Sequence, residues 1–251
     1  MKVLKLFAVT AALSASGLAM ADGSVVDQGY AFEANQLIPT GARLEVGTTG
    51  YGGALLWTAN PYVGLALGYN GGDISWSDDI KVNGTKYDWD QDNKTAYLNA
   101  EIRPWGASQN VWAQGLYVAA GVGYIDNEYG LKGKVSGQDT IKINGDTYVS
   151  NNGTASVNGK MSYDNQFAPY VGFGFAPKIN KNFGVFGEVG AYYTGNPSAQ
   201  LVASNNLSPI RPDLAEYANA QDAADADARK IENDDKYKWL PVGKVGVSFH
   251  W

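Results

Sequence analysis

The sequence predicts an all-β protein: an eight-stranded antiparallel transmembrane β-barrel of the bacterial outer membrane, with long extracellular loops. Three observations predict it. The chain ends on Lys244-Val245-Gly246-Val247-Ser248-Phe249-His250-Trp251, where Val245, Val247, Phe249 and Trp251 share one strand face and Lys244, Gly246, Ser248 and His250 the other. The chain begins with an export signal, yet no later stretch reaches the roughly 18 apolar residues that a spanning helix needs. Between the ends, bulky apolar residues repeatedly occupy one phase while glycine and alanine occupy the other. A soluble sandwich can also end on such a strand, so the discriminating property is which face carries the apolar residues.

At the N-terminus, Lys2 and Lys5 precede an apolar run from Leu6 to Leu18, and Ala19-Met20-Ala21 supplies a small-x-small cleavage pattern. Residues 1–21 therefore read as a signal peptide, residues 22–40 as a periplasmic segment and residues 41–251 as the barrel. The absence of cysteine excludes a lipidated N-terminus and a disulfide-stapled scaffold. Removing Lys2 and Lys5 takes the formal charge from -6 to -8, an acidic balance that argues against nucleic acid as a partner. The 31 Gly, 16 Tyr and 7 Trp suit a narrow barrel, with small side chains in a crowded lumen and aromatics at both membrane interfaces.

Taken in order, residues 41–59 read as a hairpin, with 43–48 rising and 51–58 descending through Thr49-Gly50. The alternative is one long strand there and a further strand recruited from residues 24–37. Val63, Leu65, Leu67 and Tyr69 then alternate with Gly64, Ala66, Gly68 and Asn70, and Ala96, Leu98, Ala100 and Ile102 with Asn99, Glu101 and Arg103. Residues 111–125 form the longest run, with Trp112, Leu116, Val118, Val122 and Tyr124 in one phase and Gly115, Tyr117, Ala119, Gly121 and Gly123 in the other. Phe167, Val171, Phe173 and Phe175 oppose Ala168, Tyr170, Gly172 and Gly174; Phe183, Val185, Val189 and Tyr193 oppose Phe186, Glu188 and Tyr192. With the closing strand, either treatment of residues 41–59 gives the even count that an antiparallel barrel requires. Short turns at Asn60-Pro61, 104–110 and 178–182 alternate with long connections, which places residues 70–93, 126–165 and 194–236 outside the cell. Within the last, residues 213–232 can form a short alanine-rich helix.

The inward phase carries Arg43, Glu45, Glu101, Arg103, Glu188 and Lys244, three cations and three anions, which a narrow lumen should pair. They read either as a relay whose partners a passing zwitterion exchanges or as a static salt-bridged plug. Outside, Asp73, Asp78, Asp79, Asp88, Asp90 and Asp92 outnumber Lys81 and Lys86, and residues 194–236 hold eight acids against four bases. Such an acidic mouth draws cationic solutes; the plainer alternative is a solvated loop surface that meets lipopolysaccharide. An enzyme is not expected: the only histidine is His250, at the periplasmic rim and remote from the outer loops. With no cysteine and one histidine, neither a conventional zinc site nor a cofactor is expected. Asn83-Gly84-Thr85 and Asn152-Gly153-Thr154 look like sequons but read as Asn-Gly turns. The expected partners are outer-membrane lipid and lipopolysaccharide, small amino-acid-like solutes, and the barrel-assembly machinery through the strand ending at Trp251.

Several stretches are long and specific: Leu37-Ile38-Pro39 through Arg43, Gly47-Thr48-Thr49-Gly50-Tyr51-Gly52-Gly53-Ala54-Leu55-Leu56-Trp57, residues 60–72, Glu101-Ile102-Arg103-Pro104-Trp105-Gly106 and residues 187–197. Together they resemble the CarO family of carbapenem-susceptibility-associated outer-membrane proteins. The likeness covers essentially the whole mature chain, with residues 130–160 and 200–235 free to vary. The resemblance implies an eight-stranded barrel for uptake of small amino acids, basic ones such as ornithine included, with incidental entry of carbapenems such as imipenem. It supplies no binding residue, so the six lumen charges rest on the strand phases alone. The expected function is accordingly a narrow selective channel, the alternative being a closed structural barrel with surface-interaction loops.

Overall fold

The structure, a computed structural model, describes residues 38–73, 80–82, 85–136, 140–151 and 153–251. The expected signal peptide, the periplasmic segment before Ile38 and the alternative strand at residues 24–37 lie outside the described residues. In chain order the first strands are β1 (Gly41–Gly47), β2 (Gly50–Asn60), β3 (Val63–Asp73), β4 (Ile80–Val82), β5 (Thr85–Ile102) and β6 (Leu116–Ser136). There follow β7 (Thr140–Ile143), β8 (Asp146–Ser150), β9 (Thr154–Phe175), β10 (Phe183–Tyr193), β11 (Ser198–Ala203), β12 (Leu207–Pro209) and β13 (Trp239–His250). Among the described residues two α-helices, α1 (Val111–Gly115) and α2 (Ala220–Asn233), and a 3-10 turn at Asp235–Lys238 accompany them.

Eight of these strands close a ring in the order β1-β2-β3-β5-β6-β9-β10-β13. The seam joins the two ends of the chain, from Gly41 opposite His250 to Gly47 opposite Lys244. The hairpin at residues 41–59 therefore supplies the first two strands, and the ring is complete without residues 24–37.

Polarity is inverted relative to a water-soluble protein. Leu116 and Phe173 point outward, 43% and 67% exposed, whereas Glu101 and Glu188 are inside at 4% and 3%. Aromatic pairs mark the two edges of the apolar band. Tyr193 meets Trp239 edge-on at 5.1 Å and Tyr124 meets Phe167 at 5.2 Å on the outer side; Phe183 meets Phe249 at 5.0 Å on the inner side. From Trp239 to Phe249 the strand covers about 34 Å, which at a tilt near 45° is about 25 Å of height, the thickness of a barrel's hydrocarbon band.

Glycine opposite tyrosine organises the lumen. A Cβ placed on Gly174 would collide with Cζ of Tyr117, and one on Gly68 with Cζ of Tyr97, too close for either ring to stay where it is. These rings lie flat along the inner wall because the facing residue has no side chain.

Three expectations are corrected. Residues 111–115 are not the start of a strand but the short helix α1. The side chain of Asn110 caps its backbone N–H groups at Trp112 and Ala113, which diverts the chain into a turn before β6 begins. Trp112 keeps its interfacial role, stacked on Phe175 at 5.7 Å. Second, residues 70–93, 126–165 and 194–236 are not simple loops. β6 and β9 run for 21 and 22 residues, about twice the 9–11 that cross a membrane, so roughly 35 Å of ladder stands in water. Once a strand leaves lipid, neither face needs to be apolar, yet its hydrogen bonds continue, as in Lys132 opposite Asn158 and Asp90 opposite Gly130.

This extension carries its own core. β11 continues the wall beside β9, β12-β8-β7 form a small second sheet, and α2 packs over them. Val135, Ile141, Ile143, Tyr148, Val157 and Leu207 meet Ala220, Ala223 and Ala224 of α2. Third, the helix begins at Ala220 rather than at residue 213, because the Asn219 side chain caps Asp222 N there.

Candidate functional site

The six inward charges converge in one network across the lumen. Arg43, on β1, donates from Nη1 to Glu101 Oε1 at 2.8 Å, and Arg103 donates from Nη2 to Glu101 Oε2 at 2.6 Å. Arg43 Nε also lies 3.8 Å from Glu45 Oε2. Lys244, on β13, reaches Glu188 at 3.0 Å and Glu45 at 3.7 Å. Each anion therefore faces two cations or one cation and two hydroxyls, and three positive charges balance three negative ones. Arg103 stands just past the end of β5 and is the most open member, with a side chain 21% exposed against 2% for Arg43.

Strand geometry explains the convergence. Glu188 and Lys244 are direct partners across β10 and β13, and Arg43 and Glu45 are two apart on β1, hence on one face. Shear around the ring then brings β5 and β10 residues to the level of β1.

Tyrosines complete the site: the residue phases place Tyr117 and Tyr170 inside without a role, and Tyr97 is not among the residues singled out from the sequence. Tyr97 donates to Glu45 and accepts from Arg43 Nη2 at 3.2 Å. Tyr117 and Tyr170 each donate to Glu188 at 2.7 Å. Aromatic faces cover the cations: Arg43 lies 4.3 Å from the Phe186 centroid and Lys244 4.2 Å from that of Tyr97. The detectable signal was tyrosine in the glycine-bearing phase, at a position where an outward tyrosine would instead mark an interface. Towards the outer ends of β3 and β5 the lumen changes character. There Thr49, Asn70, Asn93, Thr95 and Asn127 are buried, with Asn127 accepting from Thr95 at 3.2 Å and Gln91 donating to Asn93 at 2.9 Å.

At the periplasmic end a recess of about 420 Å³ opens beneath the network, with Arg43, Glu101, Arg103 and His250 among its walls. His250 is thus part of the inner rim and far from the outer ladder. Of the six acidic residues expected at the mouth, Asp78 and Asp79 lie outside the described residues. Asp73 ends β3, and Asp88, Asp90 and Asp92 belong to β5 rather than to a loop. Asp90 pairs with Lys132 at 2.7 Å and Asp92 with Lys94 at 3.4 Å, so part of their charge is met by neighbouring lysines. Among the described residues no group of three or more His, Asp or Glu side chains is arranged to hold a metal.

The chain is similar to two solved structures from Acinetobacter baumannii. The crystal structure of CarO is 65% identical, with a TM-score of 0.78, covering 86% of this chain and 100% of that one. That of CarO2 is 63% identical, with the same TM-score and coverage. No family model matches the chain, and no curated protein does.

Proposed function

Since the chain belongs to the CarO family of outer-membrane β-barrel proteins, we propose that it is a channel for uptake of small zwitterionic and cationic solutes, ornithine and other amino acids among them, with incidental entry of carbapenems such as imipenem. The observation that carries this reading is the shared partnering in the lumen: Glu101 serves two arginines, and Glu45 lies within reach of both Arg43 and Lys244. A buried ion pair resists the loss of one member because the other is left uncompensated. A zwitterion avoids that penalty. Its ammonium takes a place on Glu45, Glu101 or Glu188 while its carboxylate occupies Arg43, Arg103 or Lys244, so net charge in the lumen stays balanced at each step. Acidic residues on the outer ladder, Asp90 and Asp92 among them, favour arrival of the ammonium end through a salt-screened field.

One observation favours the alternative of a closed structural barrel. Tyr117, Tyr170 and Tyr192 together with the charged network fill the waist of the lumen, so passage requires these side chains to move. Liposome swelling and single-channel conductance decide between the two. Flux of glycine and ornithine above that of empty liposomes is expected; no flux, together with an envelope weakened by deletion of the protein, would leave the structural reading.

A further inference from the structure

We propose that the periplasmic recess is a binding site for small carboxylates bearing a short hydrocarbon stem, held by Arg103 and Lys178. Arg43, Arg103 and Glu101 line this space as the periplasmic edge of the balanced network, and Lys178 adds a further cation with no added carboxylate among the lining residues, so the recess carries a positive excess. Glu101 itself is spoken for, one oxygen by each arginine. Arg103 commits Nη2 to that contact and also lines the recess, and its guanidinium carries five N–H donors in all. That fork matches a carboxylate in two parallel bonds. Lys178, in the turn before β10, is exposed at the opening and supplies a second cation. Leu56 and Phe186 add apolar wall, which suits an organic acid better than a bare inorganic anion. At about 420 Å³ the space is ample for a ligand of amino-acid size and small for an oligomer. The site rests on the recess alone and stands whether or not solutes pass the waist.

Fluorine NMR on the full chain in detergent micelles tests it at pH 7 and low salt, with 3,3,3-trifluoropropionate as probe and 3,3,3-trifluoropropylammonium as its charge-reversed counterpart. Protein-dependent broadening of the carboxylate alone is expected, competed by acetate more strongly than by inorganic phosphate. Lys178→Gln should weaken binding about three- to five-fold, the size of one exposed charge contact, and Arg103→Gln more than that, while Lys132→Gln on the outer ladder leaves it unchanged. Should Arg103→Gln fail to fold, the exposed Lys178→Gln decides. No broadening, equal broadening of both probes, competition by phosphate equal to that by acetate, or a Lys178→Gln protein that binds as the parent does would each overturn the proposal. Liposome flux is a separate readout, so absence of transport with intact probe binding rejects the channel and keeps the site.

Discussion

Glu101→Gln is the most informative single change, because Glu101 is where the two arginines of the lumen meet. The substitution keeps the shape and one acceptor oxygen but removes the charge. Each contact has a gross attraction of about 4 kcal/mol at an effective dielectric near 20 and about 4 Å between charge centres. Removing the anion also relieves its own desolvation, and Arg43 keeps Glu45 at 3.8 Å and the Phe186 face. Breaking a buried pair on one side costs about 3–5 kcal/mol, and those residual contacts place the loss at the lower end, about 3 kcal/mol. Asp90→Asn is the matched control: its pair with Lys132 is as short, 2.7 Å, but both side chains are more than half exposed, so its loss is about 0–1 kcal/mol. Reversible urea unfolding in lipid vesicles, followed by tryptophan fluorescence, measures both. Adding Arg103→Gln to Glu101→Gln should recover part of the loss, since it removes the less buried of the two orphaned cations. A Glu101→Gln barrel no less stable than Asp90→Asn would refute the claim that the network is buried and mutually dependent.

Val189→Arg, at the middle of the outward face of β10, should cost about 2–4 kcal/mol in the same vesicle unfolding, the penalty of an arginine at the bilayer midplane. Val202→Arg, also exposed but on the outer wall, should stay within about 0.5 kcal/mol; equal effects would mean that the two faces meet the same solvent. Gly174→Val should displace the Tyr117 ring from Glu188 and destabilise by about 1–3 kcal/mol, with a smaller folded fraction seen by heat-modifiable gel mobility. In the outer module, a hydrogen bond from the Lys236 side chain and one from its backbone N–H hold the Asp234 carboxyl below the usual carboxylate range. A lowered folded value means that this contact stabilises the turn above the ordinary carboxylate pKa and is lost as pH falls through the lowered one, so the protection of amides 234–238 against exchange, taken relative to the intrinsic rate at each pH, should be greater at pH 6 than at pH 3.

The ring and its charges were legible because lipid imposes a strict period on every strand it touches. Leu67, Phe173 and Val189 must face out, and once their phase is known Glu101, Glu188 and Lys244 can only face in. The tyrosines were half-legible: Tyr117 and Tyr170 sat in the inward phase, but their hydroxyls gain meaning only through Glu188, which lies on another strand. The outer module was not legible, since water on both sides removes the alternation. Lys132, Lys134 and Glu128 read as loop residues although they belong to a continuous ladder. Local chemistry also defeated the period at Asn110, where one side-chain cap outweighs the apolar pattern of Val111 and Trp112.

The seam between β1 and β13 has a consequence for maturation. Arg43 and Glu45 are among the earliest lumen residues to leave the ribosome and Lys244 among the last, yet Glu45 and Lys244 share a contact. Until the two terminal strands zip together, Arg43 has Glu101 and Lys244 has Glu188, but Glu45 lacks the lysine that the other end of the chain supplies. Closure thus adds the last ion contact to charges that already balance on each side of the seam, and a barrel stalled before β13 joins leaves Glu188 without its lysine.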